Sequence, residues 1–346
     1  MRGRPVWLVL GLLVLGLIAL LVAWPLAELI VVGMGQLDVF ARGSSRVRSA
    51  ATNSATIGFA VAALSAFIGA AGAFLTERTE LRGAKWARLG LLMPILVPPF
   101  VGALSWMRAY GPGGLTDDLF GWQLPALQGL PGIVLVIAVN ASPVAFLLTA
   151  AALRTRVETD LERAARVSGS SAGSTLRTVT IPLIMPAISG VMALAFVVGI
   201  NSFGVPAVLG SPSGVRTVTT LIYEDFALSA RPESFGRAVL LAASLAVAAV
   251  LAIVLAERAL RATGGAKAKS SIAASGPAIQ RRRSAPVASA AIWAFVVLTS
   301  GIPMVALTLV ALTRGVGLAP VPSNWTLAHF ADAIDGRLLA GLGRSF

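Results

Sequence analysis

Few side chains in this sequence have the type and spacing that bond-making chemistry needs. There is no cysteine, which removes disulfides, thiolate metal sites and thiol nucleophiles. There is one histidine, His329, so a multi-histidine metal centre cannot be assembled. Asp117 and Asp118 are adjacent carboxylates beside Gly113-Gly114, but no basic or nucleophilic neighbour accompanies them, and they read as a solvated loop. Glu224, Asp225 and Glu233 read as an exposed polar loop, with contact to a partner protein as the alternative. A phosphate-binding loop needs G-x-x-x-x-G-K followed by Ser or Thr, and none of Lys85, Lys267 and Lys269 stands in that frame. The expectation is a chain with no catalytic, metal or cofactor residues of its own.

What the sequence does hold is a contact motif. Asp160 to Pro186 reads DLERAARVSGSSAGSTLRTVTIPLIMP. Leu161, Ala164, Ala165 and Val167 recur at helical spacing, so the first part is an amphipathic helix. Gly169 sits where that helix should end, because glycine tolerates a left-handed cap. Leu176 and Val179 give a second short helix an apolar edge, and Pro182 and Pro186 should stop or kink the approach to the next apolar stretch. Such a helical hairpin is suited to lie in a partner's groove.

The elements that carry this hairpin are apolar. The chain has 346 residues, of which 56% are hydrophobic and 12% charged. Soluble domains carry about 25% charged residues. The composition therefore predicts an all-α, polytopic membrane helix bundle and excludes a soluble enzyme, a disulfide scaffold and a disordered regulator. Seven stretches are long enough to span a bilayer: 6–33, 51–76, 88–108, 130–153, 183–210, 236–257 and 286–313. The first is too long for the apolar part of a signal peptide and is read as an uncleaved span. Met93-Pro94 through Pro98-Pro99 predicts a broken or re-entrant start to the third. Asn140, Ser142 and Pro143 interrupt the fourth, and Asn201, Ser202, Gly204 and Pro206 the fifth. Asn140, Ser142, Asn201 and Ser202 are candidate path-lining residues, with backbone repair at a kink as the equal alternative. Gly58, Ala62, Ala66 and Ala70 share one face of the second stretch, beside Ser65, Gly69 and Ala73, and predict a closely packed helix pair.

Charge gives an orientation. The net charge is +13, from 28 basic and 15 acidic residues. With the N-terminus in the cytoplasm, segments 1–5, 77–88, 154–182 and 258–285 fall inside and hold 18 of the 28 basic residues. Segment 258–285 is small, polar and basic, a flexible cytoplasmic linker. Its run Arg281–Arg283 reads as a topology signal beside anionic lipid and not as a nucleic-acid site. After it the pattern restarts: Arg281–Arg283 precedes an apolar stretch with Pro303, as Arg2 and Arg4 precede one with Pro25. The expected organisation is a first span and outer segment at 1–50, a core at 51–257, the linker, and the start of a second, truncated half at 286–346.

The loop motif resembles a known family. Permease subunits of bacterial ABC importers carry E-A-A-x3-G-x9-I-x-L-P in a cytoplasmic loop. Here Ala164-Ala165 and Gly169 match its first half, and Val179, Thr180, Ile181 and Pro182 match its second at the right spacing. One position departs: Arg163 stands directly before the alanines, and the acid is one place earlier, at Glu162. Asn53-Ser54, Glu77-Arg78-Thr79, Leu91–Pro99, Trp106 and Gly111 also resemble the start of that family's core. Ser202 to Phe226 is similar to permeases of the ferric-iron, thiamine, polyamine and aminoethylphosphonate group, in which fused two-core chains are common among iron-type systems.

The resemblance implies a type I importer permease in a bacterial inner membrane, with no cofactor. A periplasmic binding protein would deliver substrate, an ATPase dimer would dock on the hairpin, and a second permease copy or half would complete the path. Ferric iron is the first substrate, with polyamine, thiamine, 2-aminoethylphosphonate or sulfate as alternatives. The implied docking residues are Glu162, Arg163, Ala164, Ala165, Gly169, Ile181 and Pro182, with Glu162 and Arg163 facing charges on the ATPase. A secondary transporter or channel would instead need coupling carboxylates within spans, and only Glu28 lies clearly inside an apolar stretch. A membrane-embedded enzyme would need clustered polar side chains, and only isolated ones occur.

Overall fold

Apolar segments have no water available for their backbone groups in lipid, so each must close its hydrogen bonds internally as helix. The computed structural model has that character. It describes scattered positions between 11 and 31, and residues 45–81, 83–157, 159–229, 231–262, 282–283, 286–315, 318, 321–334, 341 and 343–344. Helix α1 is Ser45–Arg78, followed by the two-residue strand β1, Thr79–Glu80. Helices α2 (Ala84–Leu92), α3 (Pro99–Tyr110) and α4 (Leu115–Phe120) come next. Then come α5 (Leu130–Arg156), α6 (Thr159–Val167) and the long α7 (Ala172–Asn201). After α8 (Val218–Ala227) and α9 (Pro232–Ala262), strand β2 (Arg282–Arg283) pairs parallel with β1. Helices α10 (Pro286–Ala311) and α11 (Ala328–Ile334) complete the described residues.

Among the described residues, α1, α5, α7, α9 and α10 are long and apolar enough to cross a membrane. The bent pair Ala84–Leu96 and Pro99–Phe120, whose halves meet at 108°, is apolar enough to count as a sixth when taken as one broken span; its other form is a re-entrant loop. That bend is the break expected from Met93-Pro94 and Pro98-Pro99: the prolines remove donors and the chain turns through a 3₁₀ segment, Met93–Leu96. The predicted stretch 6–33 and the linker between Ala262 and Arg282 lie largely outside the described residues.

The core forms around α1. At Gly69 an added Cβ would lie 2.4 Å from Ala145 Cβ on α5, and at Gly58 it would lie 2.6 Å from Ile200 Cγ2 on α7. Gly69 and Gly58, one from each small-residue row, therefore meet two different neighbours, where the sequence suggested one close pair. Buried Ile57, Val61, Ile133 and Val136 fill the space between α1 and α5. Helix α10 lies against the bent pair: an added Cβ on Gly90 would come within 2.7 Å of Val296, and the Tyr110 hydroxyl donates to the Leu298 carbonyl.

The fifth stretch differs from expectation at both ends. The helix runs on through Pro182 and Pro186 where the sequence suggested a stop or a kink, and a wide π-type turn at Leu176–Thr180 leads into it. It then ends at Asn201, not near 210, and 206–210 form a separate wide turn led by Pro206.

Candidate functional site

The hairpin is α6, a tight turn, and the first turns of α7. Its turn follows from Gly169, whose φ of +90° is a left-handed conformation that side chains resist. The Gly169 amide donates to the Arg166 carbonyl and the Ser170 amide to the Ala165 carbonyl, each at 3.0 Å. This pair of bonds is a Schellman motif, which satisfies the last carbonyls of α6. Ser171 caps the next helix by accepting from the Ser174 amide at 3.2 Å.

The faces of the hairpin are unequal. Among the described side chains of α6, only Glu162 is buried. Leu161 and Val167 are 46% and 90% exposed, and Leu176 is exposed as well. Ala164 is exposed and Ala165 half-buried, so two methyl groups form a shallow surface beside those larger side chains. Arg163, Arg166 and Arg177 also point to the exterior. Arg163 lies 3.6 Å from Asp160 Oδ1, a wide-open pair of little energetic weight. Ile181 is half-buried, while Pro182 is exposed.

Glu162 behaves differently from the expectation that it meets an external charge. Its Oε2 is 3.1 Å from Arg78 Nη1 at the end of α1, and its Oε1 accepts from the Thr180 hydroxyl at 2.7 Å. The helix period places residue 162 on the inward face of α6, with Arg163 outward. The neighbouring Glu77 is 4% exposed. It accepts a forked pair of bonds from Arg154 at 2.8 and 2.6 Å, and Arg88 Nη2 lies 3.2 Å away. The last turn of α1 is thereby tied to α2, α5 and the hairpin. Arg78, Glu77 and Thr180 were not singled out for this role. Their signal was a pair of opposite charges closing a long apolar stretch.

The four candidate path residues form two separate groups. Asn140 donates from Nδ2 to the Pro94 and Val97 carbonyls at 2.9 and 3.2 Å, and so braces the break between α2 and α3. It also lines a mainly apolar cavity of about 110 Å³ with Trp106 and Ser300. The Ser142 hydroxyl donates to the Val139 carbonyl at 2.8 Å, the very carbonyl that Pro143 leaves without its helical donor. At the end of α7, Asn201 donates to the Val197 carbonyl, and the Ser202 carbonyl accepts from the Thr219 hydroxyl. The side chains of Asn140, Ser142 and Asn201 thus each donate to a backbone carbonyl, and Asn140 lines the cavity as well.

The carboxylates at the other end of the molecule are engaged too. Glu224 pairs with Arg46 at 2.9 Å and Arg216 at 3.2 Å. Buried Asp225 is gripped by Arg237. Asp117 accepts from the Gly113 amide and from Gln123. His329 Nε2 lies 2.9 Å from the Thr313 carbonyl. The Glu233 side chain lies outside the described residues.

Comparison with known proteins follows the same lines. A probable molybdenum ABC transporter permease protein of Haloferax volcanii is 29% identical over 207 residues, 60% of this chain and 74% of that protein. A probable ABC transporter permease protein of Sinorhizobium fredii is 26% identical over 303 residues; these are 85% of this chain and 52% of that protein, so the chain spans about half of it. A putative ferric transport system permease protein of Haemophilus influenzae is 28% identical over 177 residues, 50% of this chain and 28% of the relative. The fold matches a crystallised bacterial ABC transporter that imports the acidic polysaccharide alginate, with a TM-score of 0.62 at 15% identity over 75% of this chain and 96% of that one. Residues 82–262 match the family described as the binding-protein-dependent transport system inner membrane component. With that match covering more than half of its length, the chain belongs to this family of multi-pass ABC importer permeases.

Proposed function

We propose that this chain forms half of the membrane path of an ATP-driven importer, with the hairpin as the dock for a separate ATPase. One observation carries the reading. The hairpin turns Leu161, Val167 and Leu176 outward, while among the described side chains of α6 the one that is buried is a carboxylate. An apolar face left uncovered at a helix pair is the form that fits a partner's groove. Arg163, Arg166 and Arg177 around it favour a groove with an acidic rim. Ala164 and Ala165 let the partner come close, since larger side chains there would hold the groove away. Gly169 sets the turn, and Ile181 and Pro182 lie at the exit.

In this reading the hairpin faces the cytoplasm and the N-terminus is cytoplasmic, in a bacterial inner membrane. A periplasmic binding protein delivers the substrate at the opposite end. A second permease copy or half completes the path. Transport is then alternating access between two states that ATP and the loaded binding protein favour differently. Ferric iron is the proposed cargo; the likeness of Ser202–Phe226 to permeases of the ferric-iron, thiamine, polyamine and aminoethylphosphonate group, the fused layout common among iron-type systems and the ferric relative support it. The molybdenum relative favours a second reading, a molybdenum-containing anion. Identifying the ligand carried by the cognate binding protein decides between them.

The docking claim is tested by co-purification. Val167→Asp places a charge at the most exposed apolar position of the hairpin. ATPase retention should drop while insertion of the chain into the membrane is unchanged. Full retention in that variant contradicts the proposed dock.

A further inference from the structure

We infer that Arg78 and Glu162 are positioning residues that transmit movement of the hairpin to α1. The inference rests on the docking reading above and concerns what happens after docking. Along α6 no apolar side chain is buried against the body of the protein, so packing does not hold this limb in place. Glu162 holds it, through Arg78 at 3.1 Å and Thr180 at 2.7 Å. The side chains of Arg78 and Glu162 are 15% and 12% exposed, so water screens the pair far less than it screens Arg163 and Asp160. A displacement of α6 must either carry Arg78 with it or break this contact.

Arg78 stands on a helix fixed at both ends. Beside it, Glu77 is clamped by Arg154 and Arg88, which ties the last turn of α1 to α5 and α2. At the far end, the Ser54 hydroxyl accepts from the Val218 amide at 2.9 Å, and Asn53 donates to the Arg216 carbonyl at 2.8 Å. Arg46 adds its pair with Glu224. Helix α1 has 34 residues. At 1.5 Å per residue such a helix is about 50 Å long, enough to join both faces of the bundle. Its inner joint is Arg78–Glu162 and its outer joint is the backbone at 216–218. A stroke at the hairpin thus reaches the segment 202–226 through a single stiff element, with no chain of side-chain rearrangements between.

The inner joint is a one-point contact. Only Nη1 of Arg78 meets Glu162, while Nε and Nη2 are buried and meet no acceptor among the described residues. The charge therefore matters more than the fork of the guanidinium, and Arg78→Lys becomes a discriminating variant.

The test uses the chain assembled with its ATPase and binding protein in proteoliposomes. Arg78→Met and Glu162→Gln should retain the ATPase and its basal hydrolysis. Stimulation by the loaded binding protein and uptake should both fall, by about tenfold or more. Arg78→Lys should keep most of the uptake. Uptake and stimulation at the unsubstituted level in Arg78→Met or Glu162→Gln overturns the inference. So does an Arg78→Lys variant as defective as Arg78→Met. Loss of ATPase retention in Glu162→Gln would put that carboxylate in the dock itself and also overturn it. An unsubstituted chain that retains no ATPase refutes the docking reading first, a result distinct from the others.

Discussion

Gly169 shows how a single residue decides the geometry of the hairpin. Its φ of +90° is left-handed, yet an added Cβ there meets nothing within 4 Å. The constraint is conformational, not steric. Placing a side chain in that region costs about 1–2 kcal/mol, less for Asn, whose short amide tolerates it. Gly169→Asp and Gly169→Ala should therefore weaken ATPase retention and uptake while the chain still inserts, and Gly169→Asn should be the mildest of the three. Normal uptake by Gly169→Ala would show that the turn does not need its left-handed residue. This position was legible in the sequence, because the end of an amphipathic period followed by glycine has one common structural solution. Glu162 was legible only in part. Its spacing from Ala164 marked it as part of the motif, but its direction depends on Arg78 and Thr180, which come from elsewhere in the chain. The same holds for Asn140 and Ser142: a polar residue at membrane depth is visible in the sequence, while the carbonyl it satisfies is visible only in the fold.

At the scale of elements, α1 is organised by what its glycines allow. In lipid, helices are drawn together by close packing, so the smallest residues fix where backbones touch. Gly69 lies so close to α5 that an added Cβ would sit 2.5 Å from the Phe146 amide nitrogen. Backbone cannot yield as a flexible side chain can. Gly69→Leu should lower the melting temperature of the detergent-solubilised chain by an amount matching at least about 1–3 kcal/mol. Gly190→Leu is the control, since a Cβ there meets nothing within 4 Å. Equal melting of the two variants would mean that the α1–α5 contact is not the tight one. The sequence displayed the small-residue rows clearly, and it also displayed the break at Met93 to Pro99. It did not show that Gly58 and Gly69 meet two different helices, because neighbours in space are set by long-range packing. Nor did it show that α7 passes through Pro182 after a π-type turn, which leaves no clear trace in residue type.

The whole molecule is asymmetric in a way that charge predicts and geometry can test. Helix α5 runs from Leu130 to Arg156 and leads directly to the hairpin, while α3 and α4 deliver Asp118 near its other end. Ser168 and Asp118 are both exposed, and α5, long enough to cross a membrane, lies between them in the chain, so the two positions test which side each end faces. The bias of basic residues toward segments 77–88, 154–182 and 258–285 supports the proposed cytoplasmic side for the hairpin, because Arg and Lys resist translocation. An ATPase acts where ATP is, so the docking reading requires that side. The absence of cysteine makes the measurement clean, since one introduced thiol is the only one in the chain. In intact cells, a membrane-impermeant maleimide should label Asp118→Cys and leave Ser168→Cys unlabelled until the membrane is opened. The reverse pattern would invert the topology, remove the hairpin from the reach of ATP, and leave the coupling role of Arg78 and Glu162 without a motor.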